Sequence, residues 1–408
     1  MPDFDWERPL ADLRELGELT GGPDGARRLA WTADWRAARE WLERKLATGT
    51  RGTVERDAAG NLWATLAGES DATVVVGSHI DAVPHGGWLD GCLGVLAALE
   101  ILRAYEDTPP VTIKLVDWAD EEGARFGRSL LGSSAAAGTL DPDAVRRLTD
   151  ADGTALADAL RENGVDLDAM GRAGLPRIDA YLELHIEQGP RLEAAGKPAA
   201  AVIGCFGAER HAVTFTGRAS HAGSTPMHLR HDAFAAAARW ALTVRESAVA
   251  NEGVATVGRV AVAPGVPTII NGRCAVTLDQ RALESHKLAT MLDDAKRAAA
   301  TIAEEEGVGV EWAPIYAIEP IAFDPRLVDL AAQAIEEVTG DAAPRLPSGA
   351  LHDAAEIARR APTVMLFAAS TGGVSHSPAE DTPEDDLRAA LRAFGRLFEL
   401  TAANLNPS

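Results

Sequence analysis

Short apolar runs of strand length alternate with longer stretches of helical spacing through about the first two hundred residues. In ARRLAWTADWRAAREWLERKL the Leu, Trp and Ala positions recur at helical intervals, and Thr32 is placed to cap that helix. NLWATL and TVVVGSHI read as strands, LGVLAALEILRAY as a helix starting after Gly91, and VTIKLVDW as a buried strand. A β–α–β order of this kind predicts a mostly parallel sheet covered by helices on both faces, an α/β fold.

The texture changes near Gly207. HAVTFTGRAS alternates like a half-exposed strand, and HDAFAAAARWALTVRESA has helical spacing. ATVGRVAVA and GRCAVTLDQRA predict two more strands, HKLATMLDDAKRAAATIAEEEG a second helix, and VGVEWAPIYA a last strand. The resulting βαββαβ order is ferredoxin-like. From Asp324 the α/β texture returns, with a helix at LVDLAAQAIEEVTG, a strand at TVMLFAAS and a closing helix near DDLRAALRAFGRLFELTAA. The organisation expected is therefore a catalytic domain of residues 1–206 and 324–408, interrupted by an inserted domain of residues 207–323.

At 408 residues the chain exceeds one core of usual size, which agrees with two domains. With 39 basic and 61 acidic side chains the formal charge is −22, which repels phosphate backbones and argues against a nucleic-acid partner. No apolar run is long enough to span a bilayer, so no membrane association is expected. The opening MPDFDWERPL lacks the basic-then-apolar order of a signal peptide. Cys92, Cys205 and Cys274 have neither paired nor metal-ligand spacing. These features together predict a cytoplasmic protein. Cys92, between Gly91 and Leu93, is expected to be a small packing residue and not a nucleophile.

The chemistry lies just beyond the strands. VVVGSHIDAVPHGGWLDG carries His79, Asp81 and Asp90; IKLVDWADEEG carries Glu121 and Glu122; YLELHIEQGP carries His185; VMLFAASTGGVSHSP carries His376. Strand ends in an open α/β sheet converge on one crevice, so these residues can meet there. Three histidines with bridging and terminal carboxylates make the ligand set of a two-metal hydrolytic site. His79 and Asp81 stand two apart, on one strand face, so the Asp81 carboxylate is expected to hold the second N–H of a ligating imidazole. Asp90, near a helix start, has two oxygens with which to bridge two cations. Of the adjacent Glu121 and Glu122, one can bind metal while the other stays free as general base. Arg230 and Asp232, in HLRHDA, are expected to form a structural ion pair near a helix start.

On the motifs GSHIDAVPHGGWLDGCLGVLAALE, DEEGARFGRSLLGS, ELHIEQGP, SHAGSTPMHLRHDA and GVSHSPAE, the chain resembles the hydantoinase/carbamoylase family over essentially its whole length. That group comprises N-carbamoyl-L-amino-acid hydrolases, allantoate amidohydrolases and β-ureidopropionases, within the clan of two-metal aminoacylases and carboxypeptidase G-like enzymes. The resemblance implies two divalent ions per subunit (zinc, manganese, cobalt or nickel), held by His79, Asp90, Glu122, His185 and His376, with Asp90 bridging and Asp81 supporting. It implies Glu121 as the general base and later proton donor, and an inserted domain that serves as dimerisation lid. His221 would then reach the partner's site in a homodimer and steady the developing oxyanion, while Gln188, Asn271 and Arg281 hold substrate.

The activity so implied is hydrolysis of the carbamoyl C–N bond of an N-carbamoyl-L-amino acid, releasing amino acid, ammonia and carbon dioxide. Allantoate amidohydrolase is the alternative; an aminoacylase, a dipeptidase or a non-catalytic metal-binding protein fits less well. Leu351, in SGALHDA, stands where the family commonly has glycine, which leaves the part played by His352 open.

Overall fold

The computed structural model describes residues 2–22 and 24–406. The chain forms two compact units, Met1–Ile203 with Phe323–Ser408, and Gly204–Ala322.

In the first, a mixed sheet runs in the order Thr53–Arg56, Leu62–Leu66, Val111–Trp118, Ser70–His79, Ala180–Ile186, Thr363–Ala368, Ala199–Cys205, with Arg345–Ser348 beside Ala199–Cys205. The four strands from Val111–Trp118 to Thr363–Ala368 are parallel to one another. The pairings of Leu62–Leu66 with both of its neighbours, and of Ala199–Cys205 with Thr363–Ala368, are antiparallel. The parallel strands read as near-continuous apolar runs because helices bury both faces: every residue of Ala180–Ile186 and Thr363–Ala368 is buried. Cys92–Arg103 is buried along almost its whole length against this sheet. Glu384–Leu405 is amphipathic and turns in Leu387, Leu391, Phe394 and Phe398, one helical stripe. Thr32 does cap its helix, accepting a bond from the Trp35 N–H, and the helix runs Ala33–Gly49. Among the described residues no helix is long and apolar enough to cross a membrane.

The second unit is a four-stranded antiparallel sheet in the order Gly309–Ile318, Gly207–Thr216, Arg273–Ala282, Val254–Ala263, with helices Ala233–Ala250 and Ser285–Glu306 packed on one face. This is the ferredoxin-like arrangement that the βαββαβ order predicts. Phe215, Trp240, Val276 and Leu278 centre its core. A short ladder, Ser220–His221 with Ile269–Ile270, stands apart from the sheet. Among the described residues Arg230 and Asp232 form no ion pair, contrary to expectation. Asp232 instead caps Ala233–Ala250, and Arg230 donates to the carbonyls of Ala222 and Thr225. A helix start has orphan N–H groups for the acid, and the turn after His221 has spare carbonyls for the base.

One buried ion pair ties the first unit to its chemistry. Arg39 and Asp117 are each about 1% exposed or less, with Arg39 Nε 2.6 Å from Asp117 Oδ2. Arg39 also donates to the carbonyls of Gly60 and Asp117, while Asp117 Oδ1 accepts the Ile80 N–H at 2.9 Å. This pair therefore fixes the backbone one residue beyond His79. Replacing Arg39 with Met would leave Asp117 charged and unpaired in the interior. The expected cost is about 3–5 kcal/mol in urea unfolding; a loss near zero would show that the pair is dispensable.

Candidate metal centre

His79 ends the strand Ser70–His79, and His185 is the penultimate residue of Ala180–Ile186. The register that pairs Val74 with Ala180 and Val76 with Leu182, carried forward, brings the two histidines level. Their rings lie 5.8 Å apart. Each turns Nδ1 to a backbone carbonyl, Asp81 O at 3.1 Å and Ile186 O at 2.9 Å. Those carbonyls accept from Nδ1–H, which leaves both Nε2 lone pairs directed inward. Asp90 Oδ1 lies 3.6 Å from His79 Nε2 and 3.1 Å from His185 Nε2. Its other oxygen lies 3.3 Å from His376 Nε2, and Glu122 Oε2 is 3.4 Å from that same nitrogen.

Two ligand-grade triads, His79–Asp90–His185 and Asp90–Glu122–His376, thus share one carboxylate. In its neutral form His185 Nε2 has no hydrogen-bond partner, and neither has the buried Glu122 Oε1. A lone pair facing a carboxylate oxygen needs a proton or a cation between them. Imidazole nitrogens and carboxylate oxygens suit divalent transition ions, so the residues fit the implied group.

Without cations the site retains protons. Burial, then the Asp90 charge, lifts Glu122 to about 8. Burial, then the charges of Asp353, Glu122 and Asp81, pushes Glu121 well above the carboxylate range. Burial also raises Asp81 to about 6 and Asp120 to about 8. For Asp90 burial acts upward, but bonding to protonated His185 and His376 holds it well below its ordinary value. Bonding to Asp90 raises His376 to about 9; it does the same for His185, against burial. Burial lowers His79 to about 4.

The loops show why these side chains converge. Asp81 supports His79 through its backbone carbonyl, and not through its carboxylate as the strand alternation suggests; that carboxylate is 3.7 Å from His79 Nδ1. The strand ends at His79, so two-residue alternation no longer applies. The carboxylate instead accepts the N–H groups of Glu121 and Glu122, each at 3.2 Å, and aims that pair. Gly91 has φ +65°, and a side chain there would collide with the His79 ring. Asp120, Gln188 and His376 take left-handed backbone at φ 61°, 56° and 55°, strain of a kind that concentrates at functional sites. Trp31 Nε1 holds Asp120 at 2.6 Å. Gln188 Nε2 donates to Asp90 Oδ2 at 2.9 Å, so it sits within this cluster.

Several participants were not foreseen. Glu183, two residues before His185 and on the same strand face, accepts from Ser78, Tyr181 and the Ala354 N–H. Its period-two spacing was the available signal. His352 is buried edge-on against His185, centroids 4.4 Å apart, with Nε2 2.9 Å from Ser348 Oγ. Leu351 beside it is half-buried. Glu380, four residues after His376, binds the backbone of Asp90. The Cys92 thiol is buried, and burial pushes it to about 11, which suits a packing residue.

The remaining expected residues belong to the second unit. His221 is exposed, and its Nδ1 accepts the N–H groups of Gly223 and Ser224, so Nε2 carries the proton and is a donor. Asn271, half-buried, accepts the Gly265 N–H and follows the strand that pairs with His221. The structure does not bring Arg281 to them. Arg273 pairs with Thr216 and Arg281 with Ala208, eight residues along one strand, roughly 26 Å at ~3.3 Å per residue. Arg281 Nε is 2.9 Å from Asp279 Oδ1.

Residues 75–400 match the model of peptidase family M20/M25/M40. An N-carbamoyl-L-amino acid amidohydrolase of Geobacillus stearothermophilus is 39% identical over 93% of this chain and 94% of its own. An allantoate amidohydrolase of Bacillus subtilis is 35% identical over 95% and 94%. The crystal structure of a hydantoinase/carbamoylase family amidase from Burkholderia multivorans superposes with a TM-score of 0.90 at 33% identity, covering 98% of both chains. The chain belongs to peptidase family M20/M25/M40, and within it to the hydantoinase/carbamoylase group.

Proposed function

We propose that this amidohydrolase cleaves the carbamoyl C–N bond of N-carbamoyl-L-amino acids, using two divalent cations per subunit. The observation that carries the reading is the pair of triads joined through Asp90. His79, Asp90 and His185 would hold one ion, and Asp90, Glu122 and His376 the other. Such ions polarise a carbonyl and make water acidic enough to serve as nucleophile near neutral pH. Glu121 stands beside them, 3.8 Å from His79 Nε2 and outside both triads. In the cation-free site burial, then the charges of Asp353 and Glu122, favours its protonated form; bound cations would favour the carboxylate, the form in which a general base takes up a proton that it later returns to a leaving nitrogen. Gln188 would orient the substrate from the Asp90 side. The identities of the relatives favour N-carbamoyl amino acids, with allantoate as the neighbouring reading.

The inserted unit adds a constraint. If His221, Asn271 and Arg281 all serve one substrate, a single copy of the sheet cannot supply them, because Arg281 lies at the opposite end of its strand. A homodimer resolves this: one subunit's insert supplies His221 and Asn271 to the partner's site, while Arg281 comes from the other subunit. The exposed Nε2–H of His221 is the donor suited to a developing oxyanion.

Four outcomes are expected. With a panel of N-carbamoyl amino acids, β-ureido acids and allantoate, ammonia should be released fastest from an N-carbamoyl-L-amino acid. Glu121→Gln should lower that rate ~10²–10⁴-fold while metal content and circular dichroism stay unchanged; substantial residual turnover would remove Glu121 from its role.

Mixing the inactive His221→Ala and Arg281→Ala proteins, with subunit exchange, should restore about a quarter of wild-type activity, since half the dimers are mixed and each holds one intact site. No recovery would place both residues on the same subunit's contribution.

Metal-free protein should lose stability as pH rises. Glu122 and Asp120 are raised from ordinary values near 4 to about 8, and His185 and His376 from 6.5 to about 9. Groups with raised values contribute stability below their unfolded values and lose it as pH climbs through the folded ones. Melting temperatures of the metal-free form should therefore fall between pH 5 and about 9, more steeply than those of the loaded form. Parallel curves for the two forms would contradict the cation reading.

A further inference from the structure

The acid at position 380 is buried, 2% exposed, and both of its oxygens are engaged. Oε1 accepts the backbone N–H of Leu89 at 3.1 Å and of Asp90 at 3.0 Å. Oε2 lies 2.9 Å from Ser375 Oγ, which in turn lies 3.1 Å from Asp90 Oδ2. The contacts make a ring, from the Glu380 carboxylate to the Asp90 backbone, through the Asp90 side chain to Ser375, and back to Glu380, in which the single Ser375 hydroxyl proton serves either Asp90 Oδ2 or Glu380 Oε2. Gln188 adds a bond to the Ser375 hydroxyl at 3.2 Å. The passage is tight: a Cβ on Gly87 would overlap the Glu380 carboxylate. Ser375 adjoins His376, so the ring ties the loop bearing the bridging carboxylate to the loop bearing a terminal ligand.

A second acid this close to Asp90 costs like-charge repulsion, and it is nevertheless buried with both oxygens accepting. Its bonds go to backbone and hydroxyl, and none goes to a ligand nitrogen, so it does not duplicate Asp90. We infer that Glu380 is a positioning residue: it fixes the backbone of Asp90 so that one carboxylate serves both triads, and thereby makes the second cation bind tightly once the first is in place. This rests on the two-cation reading above, and goes beyond it in assigning the bridge's geometry to a residue that touches neither cation.

The test is a calorimetric titration of metal-free full-length protein with Mn²⁺, paired with the electron spin resonance of coupled manganese. Wild type should take up two equivalents. In Glu380→Ala the second equivalent should weaken about 10–100-fold, the usual cost of losing a ligand's support, and the spin-coupled signal should fade. Glu380→Gln keeps an oxygen for the two N–H groups, so its second equivalent should stay within about threefold of wild type. Equal losses in the Ala and Gln variants would make charge, not the N–H bonds, the agent, and would overturn the proposal, as would unchanged affinities in Glu380→Ala. If Glu380→Ala does not fold, Ser375→Ala cuts the same ring at another point, and an unchanged second affinity there overturns it. Wild-type protein that binds one equivalent only would refute the two-cation reading itself, a distinct result.

Discussion

Too many acids are buried at one end of the sheet for the chain to tolerate them as bare charges. Asp81, Asp90, Asp117, Asp120, Glu121, Glu183, Asp353 and Glu380 are all buried. Among the described residues the one arginine or lysine bridge to these acids is Arg39–Asp117; Asp90 is paired with the imidazoles of His185 and His376. An unpaired buried carboxylate is costly enough that it takes up a proton instead, and the raised values of Glu121, Glu122 and Asp353 express that. Protons relieve the repulsion only while they stay. Divalent cations would relieve it at neutral pH and leave the carboxylates available for chemistry, so the residues that strain the fold are also the ones suited to hold such ions.

The scaffold meets this demand by dividing labour between strands and loops. Parallel strands set the histidines side by side through register alone. Loops carry the acids, and backbone donors aim them: the N–H groups of Glu121 and Glu122 rest on Asp81, and those of Leu89 and Asp90 rest on Glu380. On the proposed reading a carboxylate here is a ligand, a base, or the anchor for another carboxylate. That last use explains an acid-rich site in which several acids never face a cation.

The insert follows a different rule. Its core is closed by its own two helices, and the groups with chemical potential sit at its edges: His221 and Asn271 beside a small separate ladder, Arg281 at the far end of a ten-residue strand. A sheet of this length holds those groups far apart, at opposite ends of one strand.

Much of this was legible in the chain. Apolar periodicity marked the strands and helices because burial dictates it locally, and the βαββαβ order marked the insert. The five expected ligands stood out because each follows a buried strand, where a polar residue has few reasons to be. Asp81, Glu183, Ser375 and Glu380 illustrate what periodicity does not carry. Their roles depend on which backbone N–H or hydroxyl lies within about 3 Å, and for Glu380 those donors are some 290 residues away along the chain. The Arg230–Asp232 pairing failed for the same reason, since nearer carbonyls and helix N–H groups satisfied both. Local hydrophobic pattern and residue type determined the elements and the candidate ligands; only the folded chain decided which acids cluster with the histidines, which anchor backbone, and which groups of the insert lie together, because those choices are made by three-dimensional distance and not by order along the sequence.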